Sequence, residues 1–263
     1  MSENDPILFE QTDDHVATVT LNRPDALNAF SRRLQDEMKD LWPRIQKDDS
    51  IHAVVVRAAE GRAFSTGVDV REPRDPITNA WNQQDPGHYV CPKLNGCFKP
   101  VITAVHGMCA GGAFYILNES DIVICSQDAT FFDPHVSYGM TSALEPIGMS
   151  YRMMLGDVLR MVLLGNDERI CAQTALRLGI VSEVVDGTQP QLWDRAHMLA
   201  AKIATKPPIA TQGSVRAIWE SLDMGRAAAL KTALKYCQIG NPIGTSQVDR
   251  KAVMAQIKEY ETR

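Results

Sequence analysis

Two short segments carry glycines at positions where the backbone itself could do chemistry. The first is Ala63-Phe64-Ser65-Thr66-Gly67-Val68-Asp69, and the second is His106-Gly107-Met108-Cys109-Ala110-Gly111-Gly112-Ala113. The first follows the apolar run Val54 to Arg57 after a Glu60-Gly61 turn. Read plainly it is a turn with glycine at a left-handed position; read functionally it points a backbone N–H at a ligand. The second joins the run Val101 to Val105 to a helical stretch. Glycine there permits close backbone approach, and the start of a helix offers unbonded N–H groups and the positive end of a dipole. The spacing is not that of a dinucleotide fingerprint or a phosphate loop, so no nucleotide cradle is expected. One N–H from each loop would form an oxyanion hole, a device suited to a thioester enolate.

The elements that must position these loops follow from periodicity. Ala17, Val19 and Leu21 alternate on one face of a strand over 16–21, read as half-buried. Leu34, Met38, Leu41, Trp42 and Ile45 have helical spacing over 31–47, with Pro43 expected to kink or shorten the last turn. Ala53 to Val56, Val101 to Val105 and Asp121 to Cys125 are continuous apolar runs, as in strands covered on both faces. Gly111 to Asn118 is long enough for a helix of about two turns between the last two of these. From 149 onwards helical patterns dominate, at 149–164, 172–178, 191–205, 209–222 and 226–237. A last helix begins near Ser246 to Asp249, which has capping-box spacing, and Val181 to Val185 is the strand-like exception. Residues 73–99, with Pro73, Pro76, Pro86, Pro92 and Gly87, form an irregular stretch of the kind that serves as a substrate loop. The expected architecture is an α/β core over 1–195 followed by a C-terminal helical region over 196–263.

Composition narrows the class. The chain has 263 residues, 44% hydrophobic and 22% charged, which is ordinary for a globular protein and excludes disordered or fibrous classes. A net charge of −5 disfavours nucleic acid or an anionic membrane as the main partner. The cysteines Cys91, Cys97, Cys109, Cys125, Cys171 and Cys237 form no CxxC pair, and no apolar run reaches the length of a membrane span. With no signal peptide read at the polar start, a reduced cytoplasmic location is expected.

Taken together and in this order, the segments resemble the crotonase (enoyl-CoA hydratase/isomerase) superfamily. Leu21-Asn22-Arg23-Pro24-Asp25-Ala26-Leu27-Asn28-Ala29 is similar to its CoA-binding loop. Ala63 to Asp69 and Ala104 to Ala113 are similar to its two oxyanion loops. Asp121 to Ile124 resembles the strand after the oxyanion helix, and Leu163 to Val185 its C-terminal signature stretch. The resemblance covers nearly the whole chain. It implies a ββα spiral core, a helical C-terminal trimerisation layer, and a homotrimer or dimer of trimers. It also implies an acyl-CoA thioester substrate, with coenzyme A present only as part of that substrate and neither metal nor redox cofactor. Carried over residue by residue, the oxyanion donors are the backbone N–H groups of Ser65 and Gly112. The CoA contacts fall near Ala26, Leu27, Ala63 and Asp69.

The chain departs from the family where the hydratases carry their two glutamates. Those positions fall at Tyr115, three residues after Gly112, and at His135 in Phe132-Asp133-Pro134-His135-Val136. The following Gly139–Arg152 loop reads about three residues longer than the family's usual one. His135 is the best base by chemistry, because imidazole titrates near neutral pH; the structural alternative is an ordinary packed histidine. Glu145 is read as a group that orients the imidazole or acts itself, or else as a solvated loop residue. Tyr115 either donates a proton or fills the space a glutamate leaves. Glu119, four residues beyond Tyr115, is read as structural, Asp133 as a turn residue, and His106 as a satisfied strand-end residue. His88 and Tyr89 are candidates for lining the acyl pocket. Tyr236 lies on a helix that in similar proteins closes the pocket of a neighbour. Three functions follow: a hydratase/isomerase-type enzyme with a non-standard acid/base set, a retro-Claisen C–C hydrolase with a histidine base, or a catalytically weak acyl-CoA binder.

Overall fold

A computed structural model describes residues 5–73, 79, 81, 85, 87–255 and 261–262 of the chain. Pro76 and Pro86 of the irregular stretch lie outside the described residues. In chain order, the elements begin with β1 (Ile7–Gln11), β2 (Val16–Leu21), α1 (Arg32–Lys47), β3 (Ala53–Ala58) and β4 (Ala63–Ser65). They continue with β5 (Val101–Val105), β6 (Met108–Ala110), α2 (Phe114–Asn118), β7 (Ile122–Ser126), β8 (Thr130–Phe132), α3 (Leu144–Met149) and α4 (Leu155–Leu164). The last are β9 (Ile170–Cys171), α5 (Ala172–Leu178), β10 (Glu183–Val185), α6 (Gln189–Ala204), α7 (Pro208–Ser221), α8 (Arg226–Ser246) and α9 (Arg250–Ala255).

Two sheets organise the core. One has the order β1-β2-β3-β5-β7-β10 and the other β4-β6-β8-β9. The chain alternates between them, β3 to β4, β5 to β6 to α2, β7 to β8 to α3, which is a ββα spiral. All pairings in the larger sheet are parallel except β1 with β2. Its strands separate two apolar cores by their period of two. Ala17, Val19, Leu21, Val54, Val56, Val101 and Val105 face one side, where α1 packs. Val16, Ala53, Val55, Ile102, Ala104 and Ile124 face the other, under Leu192, Ala196 and Ala200 of α6. β2 is therefore covered on both faces rather than half-buried, because α6 closes the side that periodicity alone leaves open.

The domain boundary expected between 195 and 196 falls inside α6, one unbroken helix whose apolar stripe runs from Leu192 to Ala204. The α/β core therefore extends to Ala204. Beyond it α7 and α8 pack on each other, with Gly244 of α8 close enough that a Cβ would stand 3.4 Å from Ile209 of α7. Ile218, Leu230, Leu234 and Ile239 of this pair are exposed.

Several element ends differ from expectation for identifiable reasons. α1 runs through Pro43 to Lys47, because burial of Trp42 and Ile45 holds the turn that the proline weakens. Its start is capped by Ser31, whose Oγ accepts the Leu34 N–H at 3.1 Å. The helix expected over 149–164 is two, α3 and α4, separated by residues 150–154. α8 continues past 237 and through Pro242 to Ser246. The Ser246 hydroxyl donates back to Ile243 O at 2.7 Å, so it belongs to α8; Asp249 caps α9 instead, accepting from Lys251 and Ala252 N–H at 3.0 Å each. All six thiols are free. Among the described residues no helix is long and apolar enough to cross a membrane.

Candidate active site

The first loop turns at Gly67, which has φ +80° and lies directly on the second loop. A Cβ at Gly67 would stand 2.4 Å from Gly112 N, so no side chain fits between the two backbones. The amide that this contact brings beside Gly112 belongs to Val68, whose N lies 3.1 Å from the position a Gly112 Cβ would take. Its neighbours are occupied: Thr66 N–H donates to Leu27 O, Gly67 N–H to Ser65 Oγ, and Asp69 N–H to Phe30 O. Ser65, the expected donor, sits three residues earlier in β4, in register with Cys109 of β6. Its hydroxyl donates to Asn28 O at 2.8 Å, and the residue is fully buried. The Ser65 hydroxyl thus braces the loop, and the amide nitrogen that lies beside Gly112 is that of Val68. Gly112, the other expected donor, lies in the helical turn Gly111–Ala113 ahead of α2, where the first N–H groups lack intrahelical acceptors.

β8 delivers the titratable groups. Asp133 is fully buried, and Oδ1 accepts both the His135 backbone N–H at 3.0 Å and His135 Nδ1–H at 2.6 Å. Oδ2 accepts the Ser142 hydroxyl at 2.6 Å. Burial alone would raise this carboxyl; the hydrogen bonds from His135 and Ser142 bring it below its usual value. In the neutral imidazole, an Nδ1–H directed at Asp133 leaves the lone pair on the other nitrogen. That nitrogen, Nε2, faces Glu145 Oε1 at 3.8 Å, and the ring lies against the Gly111–Ala113 turn, with Cε1 3.5 Å from where a Gly111 Cβ would be. Glu145 is 7% exposed rather than solvated. Burial pushes its carboxyl up, Asp133 and Asp85 add to this, and His135 opposes it. His135 and Glu145 are therefore brought together as expected, yet the group that orients the imidazole is Asp133, because 3.8 Å exceeds a direct hydrogen bond.

Tyr115 is buried on α2, and its hydroxyl donates to Asp85 at 2.6 Å. Burial and that carboxylate hold the phenol protonated. Glu119 is structural, accepting Lys93 and Leu94 N–H at 2.7 and 3.0 Å. His106, expected to be satisfied, is not: it is fully buried, neither ring nitrogen has a partner, and burial pulls it down to about 4. His88 and Tyr89 stack edge-on at 5.6 Å in a short turn, and Tyr236 donates its hydroxyl to Glu220 on α7.

The loop expected to hold CoA is built around two residues that sequence reasoning passed over. Arg23 N–H donates to Asn28 Oδ1 at 2.8 Å, and Asn28 Nδ2 donates to Ala63 O at 2.8 Å. Ala26 and Leu27 lie half-buried between them, Leu27 at φ +52°. Ala63 is 1% exposed, and its carbonyl accepts the Asn28 amide, which ties it to this loop. Asp69 is likewise occupied. Hydrogen bonds from Arg71 and Arg23, 3.1 Å each at closest, hold its carboxyl down to about 2 against the opposing effect of burial. The carboxylate thereby holds those two guanidinium groups in place. The signal for Asp133 was in the sequence as Asp-Pro-His, a carboxylate two residues from an imidazole on a proline turn.

Comparison with known proteins agrees with this geometry. A family model described as enoyl-CoA hydratase/isomerase matches residues 11–240. The chain is 32% identical over 248 residues to an (E)-benzylidenesuccinyl-CoA hydratase from Thauera aromatica, covering 94% of this chain and 93% of that one. It is 33% identical over 212 residues to a mitochondrial Delta(3,5)-Delta(2,4)-dienoyl-CoA isomerase from Rattus norvegicus, covering 76% of this chain and 64% of the isomerase. A crystal structure of an enoyl-CoA hydratase/isomerase from Mycobacterium paratuberculosis superposes with a TM-score of 0.81 at 34% identity, over 98% of this chain and 99% of the other. With the spiral, the paired loops and these relatives in agreement, the chain belongs to the enoyl-CoA hydratase/isomerase family of the crotonase superfamily.

Proposed function

We propose that this enzyme moves protons on a CoA thioester, with His135 as the base and Glu145 as the acid, in place of the glutamate pair of the hydratases. The observation that carries the reading is the Asp133–His135–Glu145 array beside the Gly111–Gly112 turn. Backbone N–H groups of Val68 and Gly112 supply the oxyanion hole for the thioester oxygen. In hydration, Nε2 takes a proton from water as the water oxygen bonds to the β-carbon. The alkene electron pair moves onto the thioester oxygen as the enolate. The enolate then re-forms the carbonyl as the α-carbon takes the proton of the Glu145 carboxyl, and the proton on His135 returns to Glu145 between turnovers. In isomerisation the same two groups remove and return carbon-bound protons without water.

The relatives' names cover both hydration and isomerisation, which supports a shared enolate step and leaves the choice to the acyl group. Coenzyme A enters only as part of the substrate. The exposed apolar residues of α7 and α8 suit burial in a homotrimer or a dimer of trimers, and the chemistry fits a cytoplasmic enzyme. A carboxylate-held imidazole is also the arrangement that activates water against a carbonyl, which favours retro-Claisen C–C hydrolysis as the second reading.

Loss of enoyl-thioester absorbance from crotonyl-CoA and longer enoyl-CoA esters tests the first reading. Cleavage of a β-ketoacyl-CoA by one water to a carboxylic acid and acetyl-CoA tests the second. His135→Ala should lower the active reaction by about 10²–10⁴-fold while calorimetric binding of the CoA ester persists. Full activity in that variant would remove His135 from the mechanism.

A further inference from the structure

Asp85 enters the site from the irregular stretch and is held there by two donors on one oxygen. Its Oδ1 accepts the Tyr115 hydroxyl at 2.6 Å and the Gly87 N–H at 2.8 Å. Tyr115 belongs to α2, the helix that follows the Gly111–Gly112 turn, so this bond ties the stretch to the oxyanion helix. The tyrosine ring packs so closely on Gly87 that a Cβ there would lie 2.1 Å from it. The Cys91 thiol donates to Gly87 O and Tyr115 O at 3.5 and 3.6 Å, and Asn95 Nδ2 donates to His88 O and Cys91 O at 2.8 and 2.7 Å.

Glu145 meets the same helix. Asn118, three residues after Tyr115 on α2, donates its Nδ2–H to Glu145 O at 2.9 Å. Residues three apart share a helix face, so Tyr115 with its Asp85 and Asn118 with its Glu145 sit side by side. The charged groups acting on Glu145 come from two places, His135 and Asp133 after β8 and Asp85 from the loop, and Glu145 in turn acts on the Tyr115 phenol of α2.

We infer that Tyr115 is a positioning residue whose hydroxyl fixes Asp85 next to the Glu145 side of the site, so that the loop brings a further carboxylate to an oxyanion helix that lacks its own. The consequence is electrostatic. A fixed negative charge near Glu145 opposes its ionisation and keeps it in the form that can give up a proton. This role rests on the reading of Glu145 as the proton donor, while the placement of Asp85 does not.

The test is a carbon-13 titration of the Glu145 side-chain carboxyl in the ligand-free full-length protein, beside the pH profile of kcat. In Asp85→Asn and Tyr115→Phe the Glu145 resonance should titrate at lower pH than in the wild type, by about half a pH unit or more. In Asp85→Glu, which keeps the charge, it should stay close to the wild-type position. The KM for the CoA ester should change by less than about twofold, and the alkaline limb of kcat should move with the resonance. An unmoved Glu145 titration in a folded Asp85→Asn protein overturns the inference. A shift in Asp85→Asn with none in Tyr115→Phe overturns the part given to Tyr115. A moved resonance with an unmoved kcat limb upholds the placement and refutes Glu145 as the donor.

Discussion

Asp133 Oδ1 and His135 Nδ1 stand 2.6 Å apart across a single proline, with the carboxylate fully buried and the imidazole at the edge of the oxyanion turn. The pair fixes both the tautomer and the direction of the ring. Asp133→Asn keeps the shape but offers an amide, which can turn its N–H toward Nδ1 and move the imidazole proton to Nε2. Turnover should fall by about 10²–10⁴-fold, approaching the loss in His135→Ala, with binding of the CoA ester unchanged. A kcat in Asp133→Asn within a few-fold of the wild type would separate Asp133 from the chemistry.

Gly67 is the point where the two glycine-bearing loops, proposed to form the oxyanion hole, touch. Its φ of +80° and the 2.4 Å approach of a virtual Cβ to Gly112 N make alanine doubly unsuitable there. Gly67→Ala should part the Val68 and Gly112 amides. Loss of one aligned donor corresponds to about 10²–10³ in kcat. Ser65→Ala, which removes only the strut to Asn28 O, should cost stability more than kcat. Urea midpoints and steady-state kinetics on both variants distinguish the two outcomes, and the reverse order would return the donor role to Ser65.

Glu145 is raised by burial and by its acidic neighbours, and the proposed step uses its protonated form. kcat should therefore fall as pH rises through the Glu145 pKa. Glu145→Gln removes this alkaline limb and lowers kcat less than His135→Ala, since the base remains. Persistence of the same limb in Glu145→Gln would assign it to another group.

His106 makes stability depend on pH independently of catalysis. Folded, its pKa is pulled down to about 4 by burial, against the ordinary histidine value of 6.5. Between these values the unfolded chain takes up a proton that the folded one refuses, so stability falls as pH drops from about 6.5 to about 4. The full loss amounts to about 3 kcal/mol. His106→Leu should flatten that part of the urea-unfolding profile. An unchanged pH slope in the variant would show that His106 does not contribute it.

The spiral was legible because the long parallel strands, such as Val101–Val105, are almost wholly apolar and α1 has a clean stripe from Leu34 to Ile45. The second sheet was not. β4, β6 and β8 are three residues each, too short for any period to register. The same shortness hid which amide lies beside Gly112: motif matching located the loop, and the turn at Gly67 brings Val68 there. His135 and Glu145 stood out by residue type, whereas Asp133 looked like a turn former and Asp85 drew no reading at all. Their roles depend on contacts with Ser142 and Tyr115 that spacing does not encode.

The helix from Gln189 to Ala204 has a bearing on how members of this family exchange parts. Its alanines at 196, 200 and 204 roof the second core, while its first turn is fastened to Gly61 through Gln189. A chimera that joins this spiral to another protein's C-terminal helices at residue 195 would divide that roof between two ancestries. A crossover at Thr205 to Pro207, in the short link before α7, would leave it whole, and soluble, cooperative folding is expected to track the choice of crossover.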